Sequence, residues 1–251
     1  IYSYQKNLIM STIEQFKTHI NDGYATKGEN IILGGGIYNG NAVIDTHVKI
    51  PLKTLNRHGL VAGATGTGKT KTIQVSSEQL SNAGIPVLMM DIKGDFSGIA
   101  QPGEELPFIT ERHQKINIPY NTSGFPVELL TLSNQNGVRL RATVSEFGPV
   151  LFSRILDLND TQSGVVSIIF KYCDDHKMGL IDLKDIKKVL NYITEEGKSE
   201  IEEHYGKIST STTGTILRKI IELEQQGADA FFGEMSFEIS DLMRIDENGK
   251  G

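Results

Sequence analysis

The stretch Gly63-Ala64-Thr65-Gly66-Thr67-Gly68-Lys69-Thr70 decides the fold of this 251-residue chain. Its spacing, G-x-x-x-x-G-K-T, is that of a phosphate-binding loop, in which the glycines let successive backbone N–H groups turn toward phosphate oxygens. A helix that begins near Lys69 would point its positive N-terminal end at the same anion. We therefore expect all eight residues to bind the phosphates of a nucleoside triphosphate, with ATP as the default.

Two residues of the loop have side chains with distinct expected roles. Lys69 is expected to reach the β- and γ-phosphates and to stabilise the charge that develops on the transferring phosphate. The hydroxyl of Thr70 is expected to be a ligand of Mg²⁺. ATP and Mg²⁺ are thus the cofactors that the sequence predicts.

The segments that flank the loop support this interpretation of the motif. A short apolar strand is predicted at 58–62, a helix at 69–82 and a second apolar strand at 86–91. Strand, loop, helix and strand form a βαβ unit, which predicts an α/β fold with a predominantly parallel sheet.

Further elements are predicted on both sides of this unit. Asn39-Gly40 is a favoured hairpin turn, so residues 31–50 are expected to form a β-hairpin. Residues 108–144 are expected to be rich in strands and loops, with strand candidates at 127–132 and 138–144. Helices are predicted at 11–22, 149–156, 161–174 behind an Asp160 cap, 183–194 behind an Asp182 cap, and 215–226 before Gly227.

Composition limits the classes of protein that fit. A net charge of −6 argues against a protein that coats nucleic acid through its overall field, although a few basic loops could still bind it locally. No apolar run is long enough to cross a bilayer, and no secretory signal is recognisable. The single cysteine, Cys173, fits a reducing compartment, so a cytoplasmic protein is expected. Met10 resembles a natural translation start, with residues 1–9 as upstream sequence.

Asp91 leaves two interpretations open. It ends the apolar run Val87-Leu88-Met89-Met90, as the acidic residue of a Walker B strand does, and would then act in catalysis. Alternatively, residues 91–95 form a loop above the edge of the sheet that neighbours the phosphate-binding loop, and the Walker B acid lies elsewhere.

Several longer stretches resemble one class of P-loop ATPases, the HerA/FtsK class, and within it a bacterial HerA-like branch described as ATPases or helicases. The likeness lies in residues 56–70, in DIKGDFSGIA at 91–100, in ATVSEFGP at 142–149, in LNDTQSG at 158–164 and in LEQQG at 223–227. The resemblance implies a RecA-like core with a helical insertion, ATP hydrolysis, and a hexameric ring that processes or translocates duplex DNA.

The resemblance also implies a division of the chain. Residues 1–29 would be an N-terminal tail and helix, 30–110 the first part of the ATPase core, 111–145 a β-rich connection and 146–251 the helical insertion. In the class, the Walker B acids, a polar sensor and an arginine finger lie in a later part of the protein, and we expect them beyond residue 251. On that expectation Asp91 is not the Walker B acid, and this segment binds ATP with weak turnover or none.

Two other functions are compatible with the loop. A nucleotide-binding regulatory or assembly module would bind ATP tightly without DNA-stimulated turnover. A small-molecule kinase would transfer phosphate to a metabolite in place of water, with Asp91 contacting the acceptor.

Overall fold

The structure is a computed structural model that describes residues 12–251. The interpretation of residues 1–9 as upstream sequence lies outside this range. The helices are α1 Ile13–Gly23, α2 Lys69–Asn82, α3 Pro107–Ile116, α4 Val144–Ile155, α5 Asp160–Asp175, α6 Leu183–Thr194, α7 Lys198–His204 and α8 Thr210–Gln225. The strands are β1 Asn30–Tyr38, β2 Asn41–Pro51, β3 Leu130–Thr131 and β4 Val138–Arg139.

The chain forms two compact units. The first runs to Val127 and also includes Leu242–Gly251, and the second is the continuous stretch Glu128–Asp241. The fold is mixed α/β, with small sheets and many helices. Within residues 12–251, no helix is long and apolar enough to cross a membrane.

The first unit is built on the predicted β-hairpin, which is confirmed. β1 and β2 pair antiparallel from Asn30 opposite Pro51 to Tyr38 opposite Asn41. The turn residues Asn39 and Gly40 have φ of +49° and +79°, the positive values that a two-residue hairpin turn requires.

Helix α2 packs beside this hairpin, and one glutamine joins the two elements. The Gln79 side chain accepts a hydrogen bond from the backbone N–H of Ile32 (2.7 Å) and donates one to the Ile32 carbonyl (2.8 Å). Both backbone groups of Ile32 are thereby satisfied at a point where the register of β1 shifts between Ile32 and Gly34. The bounds predicted for α2 are confirmed.

The two strands predicted around the phosphate-binding loop are absent. Residues 58–62 and 86–91 are not in strands, and Leu60, Leu88 and Met90 are exposed by 89%, 71% and 89%. A β-strand needs a neighbour for its backbone hydrogen bonds, and these two segments pair with no strand among residues 12–251. The parallel pairing between named strands is confined to β3 and β4, two residues each, inside the segments predicted as strands at 127–132 and 138–144.

Helix α3 lies in the region predicted to be rich in strands and loops, so that prediction was wrong there. Pro107 begins the helix, where its missing N–H costs nothing, and Asn117 ends it with φ of +53°. Two contacts hold its C-terminal end on β2: His47 Nε2 with the Ile116 carbonyl (2.8 Å), and Asn117 Nδ2 donating to Asp45 Oδ1 (2.7 Å).

The second unit is helical and contains the main hydrophobic core. The predicted bounds of α6 and its Asp182 cap are confirmed. Helix α5 is capped by Asn159, whose side chain accepts from the N–H of Gln162, and the prediction of Asp160 as the cap was wrong. Helices α4 and α8 each begin five residues before their predicted starts. The core side chains, each at most 1% exposed, include Phe152, Ile169, Ile186, Leu190, Ile216 and Ile220.

Helix α4 contains an interruption that its sequence explains. Gly148 has φ of +74° and ψ of +163°, and Pro149 follows it inside the helix. Proline has no N–H to donate and restricts the residue before it to non-helical conformations, so the helix restarts at this point. The capping box of Thr143 and Glu146 begins the first part, which the prediction of a start at Pro149 had missed.

Candidate functional site: the phosphate-binding loop

The loop has the backbone form that anion binding requires. Gly66 and Gly68 have φ of +83° and +94°, and a Cβ at either position would meet nothing within 4 Å. Gly68 is the N-cap of α2, which begins at Lys69, and no side chain caps its first N–H groups. These N–H groups are therefore available to an anion at the positive end of the helix.

The third glycine is needed for close packing inside the loop. A Cβ at Gly63 would lie within 3.0 Å of Thr67 Oγ1, closer than real Cβ contacts come. Its next neighbours would be Thr67 Cβ at 3.4 Å and Lys69 Cγ at 3.6 Å, which are ordinary distances. Only glycine fits position 63 while Thr67 keeps its present rotamer.

In this conformation the carbonyl oxygen of Ala64 accepts three hydrogen bonds. The donors are Lys69 Nζ (2.8 Å), Thr67 Oγ1 (2.8 Å) and the Thr67 N–H (3.3 Å). The lysine expected to bind phosphate is thus folded back onto its own loop. The Lys69 ammonium must therefore leave the Ala64 carbonyl before it can bind an incoming phosphate.

Asp91 organises the loop that follows residues 86–90. Its Oδ1 accepts from the N–H groups of Lys93 (3.2 Å), Gly94 (2.8 Å) and Asp95 (3.1 Å), and its Oδ2 accepts from that of Phe96 (2.8 Å). These bonds hold the pKa of the Asp91 carboxyl below its usual value, and the bond from the Phe96 N–H has the largest effect. The carboxylate is therefore charged at neutral pH, and both of its oxygens accept hydrogen bonds from backbone N–H groups.

Residues 91–96, which we call the Asp91 loop, and the segment before them are in contact with α2, the helix that begins with Lys69 and Thr70. Gln74 Nε2 donates to the Asp95 carbonyl (2.9 Å), and Ser77 Oγ donates to Met89 Sδ (3.3 Å). Gln74 lies four residues, about one helical turn, after Thr70. No motif in the sequence points to Gln74, although a glutamine on the packed side of a helix is itself a signal, because a buried amide needs a partner.

The residues present fit a magnesium ion that arrives with a nucleotide. Among residues 12–251, no three His, Cys, Asp or Glu side chains lie close enough together to hold a metal ion. Mg²⁺ bound with nucleotide phosphates needs only one or two protein ligands, since waters and phosphate oxygens supply the others. The half-buried Thr70 in the first turn of α2 is the candidate protein ligand.

Comparisons with known proteins identify the family. No curated protein and no solved structure matches the chain. A family model described as helicase HerA-like C-terminal matches residues 38–251, which include the phosphate-binding loop, the Asp91 loop and the second unit. The resemblance seen in the sequence motifs is therefore confirmed, and the chain belongs to the helicase HerA-like C-terminal family.

Proposed function

We propose that this chain binds Mg-ATP through residues 63–70 and is part of an ATP-hydrolysing motor of the HerA/FtsK class that acts on duplex DNA. The observation that carries the proposal is the loop itself, in which left-handed Gly66 and Gly68 lead into a helix with free N–H groups at Lys69. Family membership supports the same activity. The proposal includes a RecA-like core and assembly into a hexameric ring, which rest on the resemblance.

When phosphate binds, Lys69 exchanges one hydrogen-bond partner for another. The Lys69 ammonium leaves the Ala64 carbonyl and binds β- and γ-phosphate oxygens, while the N–H groups of the loop and of the first turn of α2 surround the phosphates. The positive charge of Lys69 then stabilises the transferring phosphate as its charge increases.

Mg²⁺, when bound, neutralises phosphate charge, and the Thr70 hydroxyl would hold it. The glycines at 66 and 68, where a Cβ would meet nothing within 4 Å, leave room for phosphate oxygens to approach the backbone closely.

Asp91 is the candidate acidic residue of the loop that contacts α2, and its hydrogen bonds favour a positioning role. Each oxygen already accepts at least one backbone N–H, so the carboxylate fixes the turn at 93–96. We propose that Asp91 acts by holding this loop against α2, where Gln74 binds the Asp95 carbonyl. Asp91→Asn should then loosen the loop and weaken ATP binding together with turnover. A loss of turnover with unchanged ATP binding would instead assign Asp91 to the chemical step.

The test of the proposal is a calorimetric measurement of Mg-ATP binding to the 251-residue chain. Lys69→Ala should abolish or strongly weaken binding, because it removes the charged partner of the β- and γ-phosphates. The matched control is Lys71→Ala, an exposed lysine of the same helix, two residues further on. Equal binding by the native chain and Lys69→Ala would refute the proposed site.

A nucleotide-binding regulatory module is the second candidate function, and one observation favours it. The carboxylate nearest in sequence after α2, that of Asp91, is occupied by backbone N–H groups. ATP turnover measured with and without duplex DNA separates the two. DNA-stimulated hydrolysis that Lys69→Ala abolishes supports the motor, and tight ATP binding without turnover supports the regulatory module.

A further inference from the structure

An open polar cavity of about 670 Å³ lies at the surface of the second unit, lined by none of the residues assigned above. Its walls come from the loop between β3 and β4, from β4 and the residues after it, and from residues 226–230, which follow α8. We call it the arginine cavity. The side chains that matter for its chemistry are those of Arg139, Arg141, Asn134, Gln135, Gln226 and Asp229.

Both arginines have most of their hydrogen-bonding capacity unused. Arg139 Nη2 donates to Asn134 Oδ1 (2.7 Å), and Arg141 Nη1 donates to the Glu234 carbonyl (2.7 Å). Both acceptors are neutral, and neither guanidinium forms an ion pair with a carboxylate in the described part of the chain. A guanidinium has five N–H donors, so these single bonds orient each group and leave its charge uncompensated.

The remaining wall favours an anionic ligand with several acceptor oxygens. Two arginines and one aspartate, Asp229, give the wall a net charge of +1 (2 − 1), whereas the whole chain carries −6. The amide groups of Gln135 and Gln226 add neutral donors. Arginine forks and side-chain amides are the groups that bind phosphate oxygens in complexes with nucleic acids.

The same wall disfavours a ligand held by base stacking. The described residues that line the cavity include no aromatic side chain. Proteins that bind single strands without sequence preference stack the bases on aromatic rings, whereas a duplex keeps its bases paired and presents its phosphates outward. The cavity therefore fits the backbone of a duplex better than a single strand.

We propose that the arginine cavity binds phosphates of a duplex DNA backbone, with Arg139 and Arg141 as the charged contacts. The choice of DNA over another phosphate ligand rests on the proposed function, whereas the phosphate chemistry rests on the cavity alone. A locally positive cavity is the kind of contact that a chain with net negative charge needs in order to bind DNA.

The experiment is fluorescence anisotropy of a labelled 20-base-pair duplex with the 251-residue chain over a range of salt concentrations. Arg139→Gln and Arg141→Gln should each weaken binding about tenfold, because a hydrogen bond to a charged group contributes about one order of magnitude. Each should also reduce the slope of log K against log salt by about 0.9. The matched control is Arg218→Gln, an exposed arginine of α8 outside the cavity, whose guanidinium donates to Thr215.

Further measurements separate a failed cavity from a failed fold or a failed nucleotide site. Gln135→Ala changes an exposed residue of the cavity and should weaken binding severalfold without touching the Arg141 bond to Glu234, so it tests the cavity if Arg141→Gln unfolds. Lys69→Ala should leave DNA affinity unchanged when ATP is absent. DNA affinity that falls equally in Arg218→Gln and Arg139→Gln would overturn the proposal, as would equal affinity for single-stranded DNA.

Competition distinguishes the two sources of phosphate. If the cavity binds a DNA backbone, pyrophosphate and ATP at millimolar concentration should displace the duplex weakly and to the same extent in native chain and Lys69→Ala. Tight binding of pyrophosphate that Arg139→Gln abolishes, with no duplex binding, would show a site for a free phosphate compound and overturn the assignment to DNA.

Discussion

A methyl group added at Gly63 should weaken ATP binding through a single clash that a second substitution removes. The new Cβ would lie within 3.0 Å of Thr67 Oγ1, and its next neighbours would be at 3.4 and 3.6 Å. Overpacking of this kind costs about 1–3 kcal/mol, so Gly63→Ala should raise the dissociation constant for ATP about 5- to 150-fold. Thr67→Ala alone removes one hydrogen bond to Ala64 and should change affinity about fivefold or less.

The double variants test this reasoning. Gly63→Ala with Thr67→Ala lacks the clashing oxygen and should bind ATP nearly as well as Thr67→Ala. Gly63→Ala with Thr67→Ser keeps the hydroxyl but loses the β-methyl group, so the hydroxyl can rotate away from the new Cβ and part of the affinity should return. Gly59→Ala, where a Cβ meets nothing within 4 Å, is the neutral control. Calorimetry of ATP binding to all five variants provides the comparison. Failure of Thr67→Ala to restore ATP affinity to Gly63→Ala would refute the steric explanation.

Three predictions concern the second unit. Phe152→Ala should lower the free energy of unfolding by about 3–5 kcal/mol in urea titrations, against about 0.5 kcal/mol or less for Val150→Ala, whose side chain is 64% exposed. Burial raises the pKa of the Cys173 thiol to about 11, so iodoacetamide at pH 8 should label it only after denaturation; rapid labelling of native protein would contradict this. Hydrogen bonds from the N–H and hydroxyl of Thr143, and from Ser236, hold the pKa of the Glu146 carboxyl below its usual value. Glu146 therefore stabilises the fold at a pH above the usual glutamate pKa, and this stabilisation is lost as pH falls through the lowered pKa of the folded state. Thermal melts from about pH 5 to pH 3 should therefore show a smaller loss of stability for Glu146→Gln than for the native chain, and an equal loss would show that Glu146 contributes nothing.

Local signals explain which elements the sequence predicts well. Helix α6 has a cap at Asp182 and a regular apolar face, both readable within a dozen residues, and its bounds are as predicted. Helix α2 likewise begins where the glycines end. Strands depend on partners far away in the chain, and this is why segments 58–62 and 86–91, with apolar sequences typical of buried strands, form none in the described residues.

In the candidate site, too, features set by local sequence are predictable and features set by side-chain or loop conformation are not. The spacing of residues 63–70 identifies the phosphate-binding loop, because each position has a local backbone requirement. The bond from Lys69 to Ala64 depends on a side-chain rotamer, and the four N–H groups around Asp91 depend on the path of residues 92–96. Neither can be obtained from spacing. The ion pair between Lys187 of α6 and Glu224 of α8 (2.7 Å) joins residues 37 positions apart, and spacing does not reveal it either.

The order of the two units along the chain has a consequence for their origin. Residues 128–241 form one uninterrupted stretch with its own core, whereas the first unit continues on both sides of it, to Val127 and again from Leu242. A single in-frame insertion between two neighbouring codons is therefore sufficient to add the second unit to an ancestral gene, and a single deletion is sufficient to remove it. Because it carries its own core, such a segment can diverge in sequence and acquire new ligands while the residues around the phosphate-binding loop stay under their own selection.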